Sequence, residues 1–140
     1  MNFTLRFDFN HRVLLVTLGK VLTKAIALEG HAATVRFINE QGLCSRIFDF
    51  SAVERSELDA ESIRSLAFTV AEIPSLPTGK LRIFVAPRPD LYGLSRMFQI
   101  LRDEMGIRIH VVHSLGEAFA MLGLKSSDFL DVTQTKSPAG

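Results

Sequence analysis

The chain has almost nothing to crosslink with, since a single cysteine, Cys44, stands among 140 residues. No internal disulfide is possible, and the apolar flanks of Cys44 fit a core position in a reducing compartment better than a redox site. An excess of charge is also lacking. Sixteen basic against fifteen acidic residues leave a net charge of +1, which excludes the electrostatic footprint that grips a phosphate backbone, so nucleic acid is not an expected partner. No apolar run is long enough to span a bilayer, and the N-terminus has neither the basic region nor the apolar stretch of a secretory signal. A soluble cytoplasmic protein is expected. The signatures of common chemistries are missing too: no GxGxxG, no P-loop, no CxxC and no HExxH. Gly93-Leu94-Ser95-Arg96-Met97 lacks the final glycine of a nucleophile elbow, which leaves Ser95 an ordinary helix residue. No catalytic residue, cofactor or metal site is expected, and the chain reads as non-enzymatic.

What is present is apolar and patterned. With 47% hydrophobic residues and a mean hydropathy of +0.22, the chain can bury a full core in one domain. Phe3, Leu5, Phe7 and Phe9 alternate with polar residues and predict a half-buried edge strand, turned at Asn10-His11 into a strand at 12–18 that is apolar on both faces. Thr23 caps a predicted helix to about Gln41, with Gly42 placed to end it in the left-handed conformation. Two apolar stripes run along it: Ile26, Gly30, Ala33 and Phe37, and Leu28, Ala32 and Val35. Either one stripe serves a partner or the alanine-rich helix is extensively buried.

Further on, 44–50 reads as a strand. Asp59 caps a helix with Ile63, Leu66, Ala67, Val70 and Ile73 on one face, and Leu58 with Ile63 has the spacing of a hydrophobic staple. A loop at 74–80 precedes a buried strand at 81–86. Asp90 is expected to cap and begin the next helix, ended by Gly106. The run 107–112 is a strand, and Ser114-Leu115-Gly116-Glu117 is a capping box for a last helix closed by Gly123. After Leu124 the pattern is lost, so 1–124 reads as the domain and 125–140 as a flexible tail. The order ββαβαβαβα implies an N-terminal antiparallel hairpin followed by βα units: an α/β fold with a mixed sheet of about five strands and about four helices.

Chemistry is sparse. His110 and His113 are three apart on an extended chain and face opposite ways, whereas His11 and His31 read as solvated. Asp49 and Asp59 could approach each other at the C-terminal edge of the sheet. In open α/β sheets ligands gather at that edge, which brings forward Asp49-Phe50-Ser51, Pro87-Arg88-Pro89-Asp90 and His113-Ser114. Tyr92, Arg96, Gln99 and Asp103 form a polar stripe opposite Leu94, Phe98, Leu101 and Met105. Arg88 and Arg96 suit an anion, and Tyr92 a partner anchor.

Three segments, FDFSAVERSELDAESIRSLA, FVAPRPDLYGLSRMFQI and IRIHVVHSLGEAFAMLGL, together with the element order, resemble the SpoIIAA-like family. These are small bacterial proteins with the STAS fold of anti-sigma-factor antagonists. The resemblance runs from Phe3 to Leu124 and implies a STAS-like domain acting as a regulatory or protein-interaction module. In the antagonists a serine at the second helix start is phosphorylated. Here Asp49-Phe50-Ser51 matches the strand end, but the helix start reads Asp59-Ala60-Glu61-Ser62, with Ser62 two residues beyond the acceptor position. The family's likeness to CRAL-TRIO lipid carriers implies a second role: binding a nonpolar or anionic small molecule, with membrane contact at most peripheral. The expected working residues are Ser51, Arg88, Tyr92 and Arg96, and the expected partner is another protein or a second copy of the chain.

Overall fold

A computed structural model describes residues 2–69, 79–125 and 128–133. Its core is a mixed sheet of six strands in the order β7-β6-β4-β2-β1-β8. Strands β1 (Phe3–Asp8) and β2 (Val13–Leu18) form the antiparallel hairpin, and β4 (Ser45–Asp49), β6 (Arg82–Val85) and β7 (His110–Val112) add in parallel beside β2. The strands are placed one after another in the same direction. Right-handed crossovers therefore put their helices on one face: α1 (Lys24–Gln41), α2 (Ala60–Thr69) and α3 (Pro89–Asp103). The last helix, α4 (Leu115–Leu122), packs with Val13, Leu15, Ile47, Ile83 and Val85 on the opposite face.

The sheet has one strand more than the sequence predicts. β8 (Leu130–Asp131) pairs antiparallel with Arg6 and Phe7, so β1 is not an edge strand over that stretch. It lies in the segment read from sequence as a tail, where Phe129 and Val132 are buried and Thr133 bonds both backbone groups of Leu5. A second, two-stranded sheet, β3 (Val21–Leu22) with β5 (Arg55–Ser56), is likewise absent from the predicted order. Runs of two residues carry no periodicity, and only tertiary pairing makes them strands.

Local signals decide most boundaries. The Thr23 hydroxyl accepts from Ile26 N–H, and Ser114 with Glu117 forms the full capping box. Gly123 takes the left-handed conformation at φ 67°, ψ 39°. Gly42 also needs its missing Cβ, at φ 94°, but its ψ of 174° is not the left-handed helical cap expected. The first hairpin turns through four residues rather than two, and the positive φ falls on Arg12, not on Asn10. Asp8 explains the longer turn, because its buried carboxylate accepts from the N–H of Asn10 and of His11 and meets the His11 ring at 2.8 Å. Along α1 the first predicted stripe is buried at Gly30, Ala33 and Phe37, while Leu28, Ala32 and Val35 stay half-buried or exposed. Val70, Ile73 and the loop at 74–78 lie outside the described residues.

Candidate functional site

At the C-terminal edge of the parallel strands the loops after β4 and β6 meet. Phe50 N–H donates to Val85 O, and Arg88 Nη1 donates to Val53 O at 3.3 Å. Ser51 is exposed, and its hydroxyl donates to Asp49 Oδ1 at 2.5 Å. Asp59 instead accepts from Ser62 at the start of α2, through both the N–H and the hydroxyl. Its carboxyl is held below the usual range by those bonds.

The start of α3 departs from expectation. Arg88 is the N-cap, with no side-chain cap bond, Pro89 opens the first turn, and Asp90 lies inside it. Proline fits there because its missing N–H would have no helical acceptor. Asp90 pairs with Arg88 at 2.7 Å, and that hydrogen bond is the main reason its carboxyl is held low. The guanidinium expected to hold an anion thus has an acid of its own. Tyr92 is half-buried, packs on the core and stacks on His113 with ring centroids 4.0 Å apart. Arg96, a turn further along α3, is exposed. Gln99 of the predicted polar stripe turns inward and donates to Ile109 O.

A deeper concave feature lies between the sheet and α1–α3. A cavity of about 100 Å³ is walled by Phe48 and Phe84 from β4 and β6, Phe50 beyond β4, Leu91, Leu94 and Phe98 from α3, and Ile63 and Leu66 from α2. Leu22 from β3 and Leu58 after β5 also line it. The aromatic wall is continuous: Phe84 lies 5.6 Å from the rings of Phe48, Phe50 and Phe98. Four polar side chains interrupt it, His31, Arg46, Arg82 and Ser95. His31 was expected to be solvated. It is half-buried in the cavity wall because α1 lies with that side toward α2 and the sheet.

Arg46 and Arg82 are the residues that the sequence reading missed. They are 2% and 5% exposed and stand directly beside each other on adjacent parallel strands. The signal was in the chain. Arg-Ile-Phe occurs twice, as 46–48 and 82–84, and the two copies align in register. Alternation then sends both isoleucines to the α4 face and both Arg/Phe pairs to the cavity.

Elsewhere, buried Cys44 has its thiol pushed up by burial, which suits an unreactive core residue. Asp8, His11 and Asp128 have ligating atoms within 4.8 Å of one another, but Asp8 already closes the first hairpin. No protein-family model and no curated protein matches the chain. Among the described residues no helix is long and apolar enough to cross a membrane.

Proposed function

We propose that this chain is a binding protein for a small apolar molecule, held between the sheet and helices α1–α3. The observation that carries the reading is the cavity of about 100 Å³ inside a face otherwise made of packed aromatic and aliphatic side chains. An apolar hollow of this size, partly open to solvent, keeps apolar surface in contact with water unless something fills it. Small-molecule sites have this make-up, with an apolar wall and a few placed polar groups. The resemblance of the sequence to SpoIIAA-like proteins, a family likened to CRAL-TRIO lipid carriers, supports the same reading. Native mass spectrometry of protein isolated from its host is expected to show a retained molecule. Ala27 of α1 is half-buried and also lines the cavity, and Ala27→Phe, which adds a ring there, is expected to abolish that retention while the chain stays folded. A ligand-free wild-type protein whose melting temperature does not respond to small apolar compounds would sink the reading.

A second reading, the regulatory or protein-docking module, is favoured by the cluster at the C-terminal strand edge. Ser51, Arg88 and Tyr92 border the same loops, and Arg96 extends that side of α3. Ser62, the serine nearest the antagonists' acceptor position, bonds the Asp59 carboxylate through its N–H and its hydroxyl, and a phosphate there would face that carboxylate, so the phosphoswitch of the antagonists is not part of this reading. Docking without modification, onto a partner or a second copy, is the form this reading takes. Sedimentation of the wild type against Arg96→Glu tests it: an assembly lost in the variant supports it, and a monomer in both counts against self-association.

A further inference from the structure

Of the four polar side chains that line the cavity, His31, Arg46 and Arg82 each have a partner within the fold. Ser95 of α3 is the exception. It is 6% exposed, yet its hydroxyl bonds to none of the described residues. The hydroxyl of Thr17 is also unpartnered and is sealed inside the protein, whereas the Ser95 oxygen is not sealed, and the opening beside it is the cavity that its residue lines. A buried hydroxyl without a partner costs free energy, which a bound molecule with a hydrogen-bonding group would recover. Nucleophilic chemistry does not account for it. Gly93-Leu94-Ser95-Arg96-Met97 is not a nucleophile elbow, and no base among the described residues bonds the hydroxyl.

We infer that the ligand is a neutral single-ring phenol, its ring against Phe84 and Phe98 and its oxygen hydrogen-bonded to Ser95. The inference rests on the binding role proposed above and adds the chemistry of the ligand. With the charged lining groups engaged inside the fold, the ligand needs no charge of its own. The wall favours an aromatic body. Phe84 has the rings of Phe48, Phe50 and Phe98 each at 5.6 Å, the last nearly parallel to it at 17° and Phe50 edge-on at 75°. A further ring extends that cluster, gaining the stacked and edge-to-face contacts that a saturated body lacks. Ser95 and Phe98 are three apart on α3 and so neighbours on one helix face, which brings the oxygen of a ring set on Phe98 within reach of Ser95. Size limits the rest. An engineered dry cavity of ~150 Å³ takes benzene, so about 100 Å³, partly open to solvent, suits one ring and its hydroxyl and excludes a long acyl chain.

The test is an NMR titration of the full chain with phenol, toluene and cyclohexanol, repeated on Ser95→Ala. Phenol is expected to shift the Ser95 amide and the Phe48, Phe84 and Phe98 rings of the wild type. Ser95→Ala should weaken phenol about three- to tenfold, the range of one net hydrogen bond, and leave toluene within about twofold. Cyclohexanol, which keeps the hydroxyl and the size but not the aromatic ring, should bind the wild type about threefold more weakly than phenol. A phenol affinity that Ser95→Ala does not change, or changes no more than that of toluene, overturns the hydrogen bond and leaves the apolar site standing. Should the variant not fold, phenol that binds the wild type without moving the Ser95 amide overturns it equally. Cyclohexanol binding as tightly as phenol overturns the aromatic ligand. Binding of none of the three overturns the phenol, and the separate retention and melting measurements then decide whether an apolar site exists at all.

Discussion

On β4 and β6, Ile47 and Ile83 turn toward α4 and are fully buried, whereas Arg46, Phe48, Arg82 and Phe84 of the same strands turn toward α1–α3 and wall a cavity. The two faces share one backbone and one hydrogen-bond ladder, so the difference belongs to the side chains alone. Branched aliphatic residues pack under a single short helix and are buried there. Under three helices the long planar and forked side chains leave a cavity. Buried arginines are seldom what stability by itself selects, because desolvating them costs several kcal/mol in typical proteins before any pairing is counted. The closed face holds the fold together, and the open face is where the proposed ligand would sit.

Breaking the closed face should have the largest consequence. Ile83→Ala removes a fully buried side chain from packed surroundings and is expected to cost about 2–5 kcal/mol, read as a lower urea midpoint. Leu94→Ala, on the half-buried wall of the open face, should cost roughly half that or less, since much of its space is already empty. Equal losses at the two positions would mean that the cavity is as tightly filled as the α4 face.

Next comes the carboxylate on the closed face. Asp8 faces the same side as its pairing partner Val13, and hydrogen bonds within three residues satisfy it. Asp8→Ala leaves the N–H groups of Asn10 and His11 without their acceptor, at a cost of about 1–3 kcal/mol. Burial pushes the Asp8 carboxyl up, but the hydrogen bonds and charge around His11, with help from Asn10 N–H, outweigh it and hold the group below its ordinary value. The unfolded chain therefore binds this proton first as pH falls. The contribution of Asp8 to stability is complete above about pH 4, the ordinary Asp range, and is lost as pH drops through the lower folded value. Urea unfolding between neutral and acid pH should show that loss in the wild type, and a flatter profile in Asp8→Asn.

Much of the scaffold was legible because it depends on local chemistry. The Thr23, Asp59 and Ser114 caps, the left-handed Gly123 and the order of βα units each follow from residues within a few positions of one another. The extra strands depend on distant partners, Arg6 for Asp131 and Val21 for Arg55, and no local pattern announces them. The cavity was hidden by an assumption about alternation. A strand buried on both faces is expected to be apolar along its length, and Arg46 and Arg82 break that pattern inside strands that stand where the sequence places them. The candidates at the C-terminal strand edge came from a general rule about α/β sheets, whereas the two arginines stand at the opposite, N-terminal ends of β4 and β6.

The smallest effects should separate the two helix starts that follow β6 and β7. At α4, Ser114 accepts from Glu117 N–H and Glu117 Oε1 accepts from Ser114 N–H, so two otherwise orphaned donors are satisfied reciprocally. Ser114→Ala is expected to cost about 1 kcal/mol. At α3 no side chain caps the helix, and the Arg88–Asp90 pair is largely exposed, with side chains 37% and 54% accessible. Solvent screens such a pair, and the proline at the first position already prepares the backbone for the helix. Asp90→Asn should therefore leave the urea midpoint within error at moderate salt. A clear loss there would show that Arg88, once released from Asp90, no longer holds the loop through Val53 O, and that the two strand-end loops are stabilised by charge rather than by the backbone bond from Phe50 to Val85.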